Sequence, residues 1–157
     1  MTTDHRTQNT LTIQKLFEAF NHDDLRPYDT LVAADYVGPQ GAERGPAAFR
    51  AITVSLRTAF PDLHYSVDDL IADGDQIAVR WHWTGTHKGA FRGHAPTGRS
   101  VTNTGLGIFR LREGRIVAAS LETDRLGFLQ QIGVIPEGVG GVTRPTPSIP
   151  ASPIPRN

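Results

Sequence analysis

From His64 onward the hydrophobic rhythm of this chain drops to a period of two, and it holds through four consecutive runs. HYSVDDLIA and QIAVRWHWTGTH flank the pair Asp73-Gly74, and VTNTGLGIFRL and RIVAASLET flank Glu113-Gly114. An acid-glycine pair between two alternating runs is a tight-hairpin signal. Two such hairpins, joined by the loop KGAFRGHAPTGRS, predict an antiparallel sheet of four sequential strands.

Upstream the period is helical. Leu11, Ile13, Leu16, Phe17 and Phe20 predict a first helix from about Gln8 to Asn21. A second, from Asp24 to Ala33, carries Pro27 near its first turn. The breaker-rich stretch Gly38 to Pro46 then separates a third helix, marked by Phe49, Ile52, Leu56 and Phe60 and stopped at Phe60-Pro61-Asp62. After the strands, DRLGFLQQIG reads as a short helix burying Leu126, Leu129 and Ile132. Helices segregated from an antiparallel sheet make an α+β fold, with the sheet curled around the helices.

The chain's 157 residues fit one domain. Its folded part is expected over 1–135, with a flexible tail over 136–157, where prolines accumulate and large apolar side chains become scarce. Sixteen basic residues balance sixteen acidic ones, so charge offers no attraction for nucleic acid or an anionic membrane. The absence of cysteine removes disulfides, thiolate metal sites and thiol nucleophiles. MTTDHRTQNT is no secretory signal and no apolar run is long enough for a bilayer, so a soluble cytoplasmic protein is expected.

Chemistry is sought where polar groups fall on chosen faces. On QIAVRWHWT, Ile77, Val79, Trp81 and Trp83 share one face and Arg80 and His82 the other. Asn103, Gly105 and Gly107 share a face with Val101 and Phe109, and the two glycines leave space for a ligand or for a bend. Ser120, Glu122 and Asp124 are expected on one face with Ile116 and Ala118, which would place two carboxylates in one environment. Asp124 also opens a helix, where a cap alone explains it, and Arg80 could neutralise Glu122 across the sheet. His82, His87 and His94 match no ligand spacing, so no metal is expected. GHAPTGR precedes a strand rather than a helix and is a poor phosphate cradle.

FPDLHYSVDDLIADGDQIAVRWHWTGTHKGAFRGHAPTGRSV, then GIFRLREGRIV and DRLGFLQQIG, resemble the SnoaL-like polyketide cyclases of the nuclear-transport-factor-2-like superfamily. The resemblance covers about Leu11 to Gly133. It implies a cone-shaped α+β barrel in which a curved antiparallel sheet wraps N-terminal helices and encloses an apolar pocket. It implies an intramolecular aldol cyclisation of a hydrophobic polyketide-like substrate, without metal or cofactor. The family's acid/base aspartate falls on Asp124, and Arg80 matches a position usually basic. Glu122 and Arg80 are taken as Asp124's catalytic neighbours. Asn103 and His82 are expected to contact substrate oxygens, within walls from Phe17, Phe20, Phe49, Ile52 and Phe60. Ala118, Ala119 and Ser120 replace polar and aromatic groups common in relatives, and Gly38 and Pro39 stand where many have a histidine. Alternative readings are an epoxide hydrolase or isomerase of the same superfamily, and a non-catalytic member that binds a small molecule or dimerises. Family likeness also implies a homo-oligomer, a dimer or tetramer.

Overall fold

A computed structural model of the chain describes residues 2–38 and 44–139. Its elements run α1 (Thr2–His22), α2 (Tyr28–Leu31), α3 (Pro46–Ala59), β1 (His64–Asp73), β2 (Gln76–Thr86), β3 (Ser100–Arg112), β4 (Arg115–Thr123) and α4 (Arg125–Gln131). The strands form one antiparallel meander, ordered β1-β2-β3-β4. The chain therefore has the expected α+β architecture, N-terminal helices against a curved four-stranded sheet. Among the described residues no helix is long and apolar enough to cross a membrane.

Helix α1 begins well before Gln8, because its polar first turns contain no breaker even though they lack apolar periodicity. Helix α2 is shorter than the expected 24–33. Asp23 adopts a positive φ of 53°, and the Asp24 carboxylate accepts from the Arg26 backbone N–H at 3.0 Å, which makes a turn where the helix was expected. Part of the 38–46 loop, including Pro39, and the tail from residue 140 lie outside the described residues. Residues 136–139 form a turn whose Pro136 and Val139 carbonyls accept from Gln130 Nε2.

The second hairpin turns at Glu113-Gly114 as predicted, and the first turns one residue later than Asp73-Gly74, at Gly74-Asp75. Asp73 pairs with Gln76, and Arg112 with Arg115. Glu113 and Gly114 both have positive φ, 52° and 72°, the backbone that a two-residue hairpin with the sheet's natural twist requires. Helix α1 fastens both turns. Thr12 Oγ1 donates to the Gly114 carbonyl at 2.7 Å, and Asn9 Nδ2 donates to that of Gly74 at 3.4 Å.

The core lies between the helices and the inner sheet face. Ile77, Val79, Trp81 and Trp83 of β2 and Val101, Phe109 and Leu111 of β3 are buried there against Ile13, Leu16, Phe17 and Phe20 of α1. Phe20 stacks on Tyr65 at 5.1 Å between ring centres, and Phe17 lies 5.7 Å from Trp81. Two side-chain amides extend the sheet where strands end. Asn21 accepts from the Tyr65 N–H and donates to the Tyr65 carbonyl at 2.7 and 2.9 Å. Gln131 does the same for Thr102, at 2.8 and 2.9 Å.

Candidate functional site

The site is best built from the strand that ends in Asp124. Leu111 pairs with Ile116, but Arg110 pairs with Ala118, so Val117 is an extra residue in β4. A bulge of this kind moves every later side chain to the opposite face. Ile116 is buried, whereas Ala118, Ser120 and Glu122 emerge on the outer face, with Glu122 opposite exposed Leu106. The expectation that Glu122 shares a face with Ile116 is thus corrected: alternation was counted through a bulge at Val117 that composition does not reveal.

Asp124 stands just past the strand. Its backbone N–H donates to the Thr104 carbonyl at 3.2 Å, which holds it beside β3. Its Oδ1 accepts from the Gly127 N–H at 2.8 Å and caps α4. The side chain is half-buried. Helix α4 then lies along the end of β3, tied by Gln131 to Thr102, and packs Phe128 and Ile132 inward. Leu126, expected in the core, is exposed, because the cap at Asp124 turns Gly127 and Phe128 to the sheet instead.

Asn103 is the polar residue of the inner face nearest this junction. It is 8% exposed, pairs across the sheet with Trp83, and its Oδ1 has no hydrogen-bond partner. The two glycines beyond it do not leave a void. A Cβ on Gly105 would sit 2.4 Å from Trp81 Cζ2, and one on Gly107 would sit 2.5 Å from Leu121 Cδ2. The space is filled by the Trp81 indole, a ring covering strand glycines.

Arg80 and His82 point the other way. On the outer face Arg80 Nε donates to Asp69 Oδ2 at 2.7 Å, and His82 Nδ1 lies 2.8 Å from Asp68 Oδ1. A β1 bulge between Val67 and Asp69 turns both aspartates toward them. Arg80, His82 and Glu122 therefore lie on the outer sheet face, since alternation along β2 sends Trp81 and Trp83 inward and their neighbours outward. Phe17, Phe20, Phe49 and Phe60 are buried as expected, but Ile52 is 38% exposed. Thr53 takes the inward position on α3, with its hydroxyl 2.9 Å from the Phe49 carbonyl and 2.8 Å from the Tyr28 hydroxyl. A hydroxyl that bonds its own helix backbone packs as an apolar residue, and hydrophobicity alone does not reveal it.

One buried polar residue was singled out in the sequence only as a poor metal ligand. His87 is fully buried, stacked on Phe60 at 5.3 Å between centres and 25° between planes. Its Nδ1 lies 3.2 Å from Thr97 Oγ1, and Nε2 has no partner. Burial pushes the imidazole pKa down, the charge of His94 adds to this, and the Gly89 backbone opposes it. The GTH segment, which continues the alternation of β2 onto its inner face, was the available signal.

The description SnoaL-like polyketide cyclase matches residues 10–132, a span that includes Asp124, Asn103 and the whole sheet. The chain belongs to that family. Among curated relatives, the aklanonic acid methyl ester cyclase DnrD of Streptomyces peucetius is 26% identical over 127 residues, covering 77% of this chain and 88% of the relative. Among solved structures, TsrD of Streptomyces laurentii superposes with a TM-score of 0.74 at 29% identity, over 80% of this chain and 97% of that one. IdmH of Streptomyces antibioticus gives 0.70 at 33% identity, over 81% and 99%. Among the described residues of this SnoaL-like chain, two open surface clefts are of about 440 and 390 Å³. One is lined by Asp73, Asp75, Arg110 and Arg112 and the other by Lys15, Glu113 and Arg115, and neither includes Asp124.

Proposed function

We propose that this SnoaL-like chain is a cyclase of a hydrophobic polyketide-like substrate, with Asp124 as its acid/base. The observation that carries the reading is the fixed placement of one half-buried carboxylate at the β4–α4 junction, against Asn103's strand. The cap geometry leaves Oδ1 committed to Gly127. The carboxylate would take a proton from a carbon between two carbonyls, and the resulting enolate carbon would attack a ketone of the same chain. One carbon–carbon bond forms, the ketone oxygen becomes an alkoxide, and the proton held by Asp124 returns to it. Asn103 Nδ2 could donate to the enolate oxygen. Folding a flexible substrate against the aromatic face would supply the intramolecular encounter. No step is assigned to Glu122, Arg80 or His82, which lie on the outer face, and no metal or cofactor is invoked.

The test uses aklanonic acid methyl ester, the compound in the relatives' names, in D2O. The wild-type chain is expected to accelerate deuterium uptake at the acidic carbon and to give a cyclised product. Asp124→Asn is expected to lower both by about 10²–10⁴-fold. An unchanged rate in the variant removes Asp124 from the chemistry.

The packing of Phe60, Trp83 and Phe128 against one another favours a second reading, a member that binds or dimerises without turnover. Binding of the ester with no deuterium uptake by the wild-type chain would select it. The hydrolase alternative needs Arg80 beside Asp124, whereas Arg80 is paired with Asp69 and Asp68 on the outer face. We further assign the expected homo-oligomer to the outer sheet face, where Ile71, Leu106 and Ile108 are exposed. Leu106→Lys is expected to lower the mass measured by light scattering, and a monomeric wild-type mass would remove the assignment.

A further inference from the structure

Arg26, Arg50, Arg80 and Arg112 each reach a carboxylate, on Asp24, Asp29, Asp69 and Asp35. Lys15 and Arg115 do not. Among the described residues neither has a carboxylate within 4.0 Å. Both line the cleft of about 390 Å³ that lies between α1, α2 and the β3–β4 turn. On α1 that cleft takes Gln8, Leu11, Thr12 and Lys15, which follow one another at helical spacing and so form a single stripe.

The walls that carry the two cations are fastened to each other. Thr12, one helical turn before Lys15, donates to the carbonyl of Gly114, the residue before Arg115, at 2.7 Å. At the end of α2 the Ala33 N–H donates to the carbonyl of Ile116, the residue after Arg115, at 2.9 Å. Gln8 lies over the turn, so close that a Cβ on Gly114 would come within 2.6 Å of its Nε2. A guest therefore orders side chains only, on backbone that is already set. Leu11 is 47% exposed and gives the stripe an apolar surface. Glu113 also lines the cleft and pairs with neither cation, so two positive charges face one negative one.

We propose that this cleft binds a monocarboxylate with a small apolar body. The Arg115 guanidinium and the Lys15 ammonium share its two oxygens, and its body lies against Leu11. A planar carboxylate matches the guanidinium fork. A single negative charge matches the single positive charge in excess, whereas a phosphate dianion brings a second charge toward Glu113. The two cations are exposed, so their attraction is modest and weakened by salt, and the apolar contact adds to it. Asp124 is not among the lining residues, so the inference goes beyond the cyclase reading and is tested apart from it.

The test titrates benzoate, benzyl alcohol and phenyl phosphate into the full-length chain, labelled at leucine methyls and at arginine Nε for nuclear magnetic resonance. Benzoate is expected to move the Leu11 methyl and Arg115 Nε resonances together. It should bind about fivefold or more tightly than neutral benzyl alcohol, a margin that shrinks as salt is added. Phenyl phosphate should bind no tighter than benzoate, and Glu113→Gln should reverse that order. Arg115→Gln should weaken benzoate by about fivefold, the upper range for one exposed ion pair, with deuterium uptake at the cyclase substrate unchanged. If benzoate and benzyl alcohol bind the wild-type chain equally, or benzoate moves neither resonance, the inference falls and the cyclase reading stands. Tighter binding of phenyl phosphate to the wild-type chain also overturns it, since charge would then select a dianion. The wild-type titrations decide even if a variant does not fold.

Discussion

Asp124 holds two positions in one residue, a helix cap and a candidate acid/base, and substitutions separate them. Asparagine caps as well as aspartate, so Asp124→Asn should leave thermal stability nearly unchanged while turnover falls. Asp124→Ala should lose turnover and also about 1 kcal/mol of stability, because the Gly127 N–H is left without its acceptor. Equal losses of stability in the two variants would mean that the charge, not the cap, holds α4. Gly105 illustrates the opposite limit, a residue defined by what it lacks. Any Cβ there meets the Trp81 indole, so Gly105→Ala should cost about 1–3 kcal/mol in denaturant unfolding, as overpacked cores do. A neutral result would show that Trp81 can swing aside and that the interior opens readily. At this scale the sequence reveals that Asp124 begins a helix and that Gly105 shares a face with Asn103. It does not reveal that Glu122 faces outward, because a single extra residue at Val117 leaves no mark on composition or alternation.

Elements carry the site only as far as they are anchored. Helix α4 has seven residues, too few to persist on its own helical propensity. What secures it is Gln131, whose amide occupies both backbone groups of Thr102 where β4 has already ended. Gln131→Ala should leave a part-buried N–H and C=O unpaired, at a cost of about 1–3 kcal/mol. Amide exchange should rise first in residues 125–131, with the hairpins unaffected. Uniform exchange across the sheet would instead make α4 part of the global folding unit. The four strands and both turns were legible because alternation and acid-glycine pairs are local signals. The role of Gln131 was not, since a polar side chain imitating a strand looks like any surface glutamine. The same holds for Asn21 at Tyr65 and for Thr53 in place of Ile52.

For the whole molecule, His87 ties global stability to pH. Its folded pKa is depressed below the ordinary 6.5 by burial, so between that value and the folded one the unfolded chain binds a proton that the folded chain refuses. Stability therefore holds above about pH 6.5 and falls as the pH drops below it, by at most about 1.4 kcal/mol per pH unit for one proton. The carboxylates act in a separate, lower window. Arg26 holds Asp24 down to about 2, Arg112 lowers Asp35, and the Thr86 N–H and hydroxyl lower Asp62. Their contributions are present above the ordinary 3.8 and are lost only as the pH falls below it. Urea unfolding of the wild-type chain and His87→Phe from pH 7.5 to 5 isolates the histidine, because every other group is common to both. The wild-type chain should lose stability relative to the variant on acidification, with the two parallel above pH 7. Parallel curves throughout would mean that the folded chain accommodates a charged imidazole at position 87, against its full burial on the Phe60 ring.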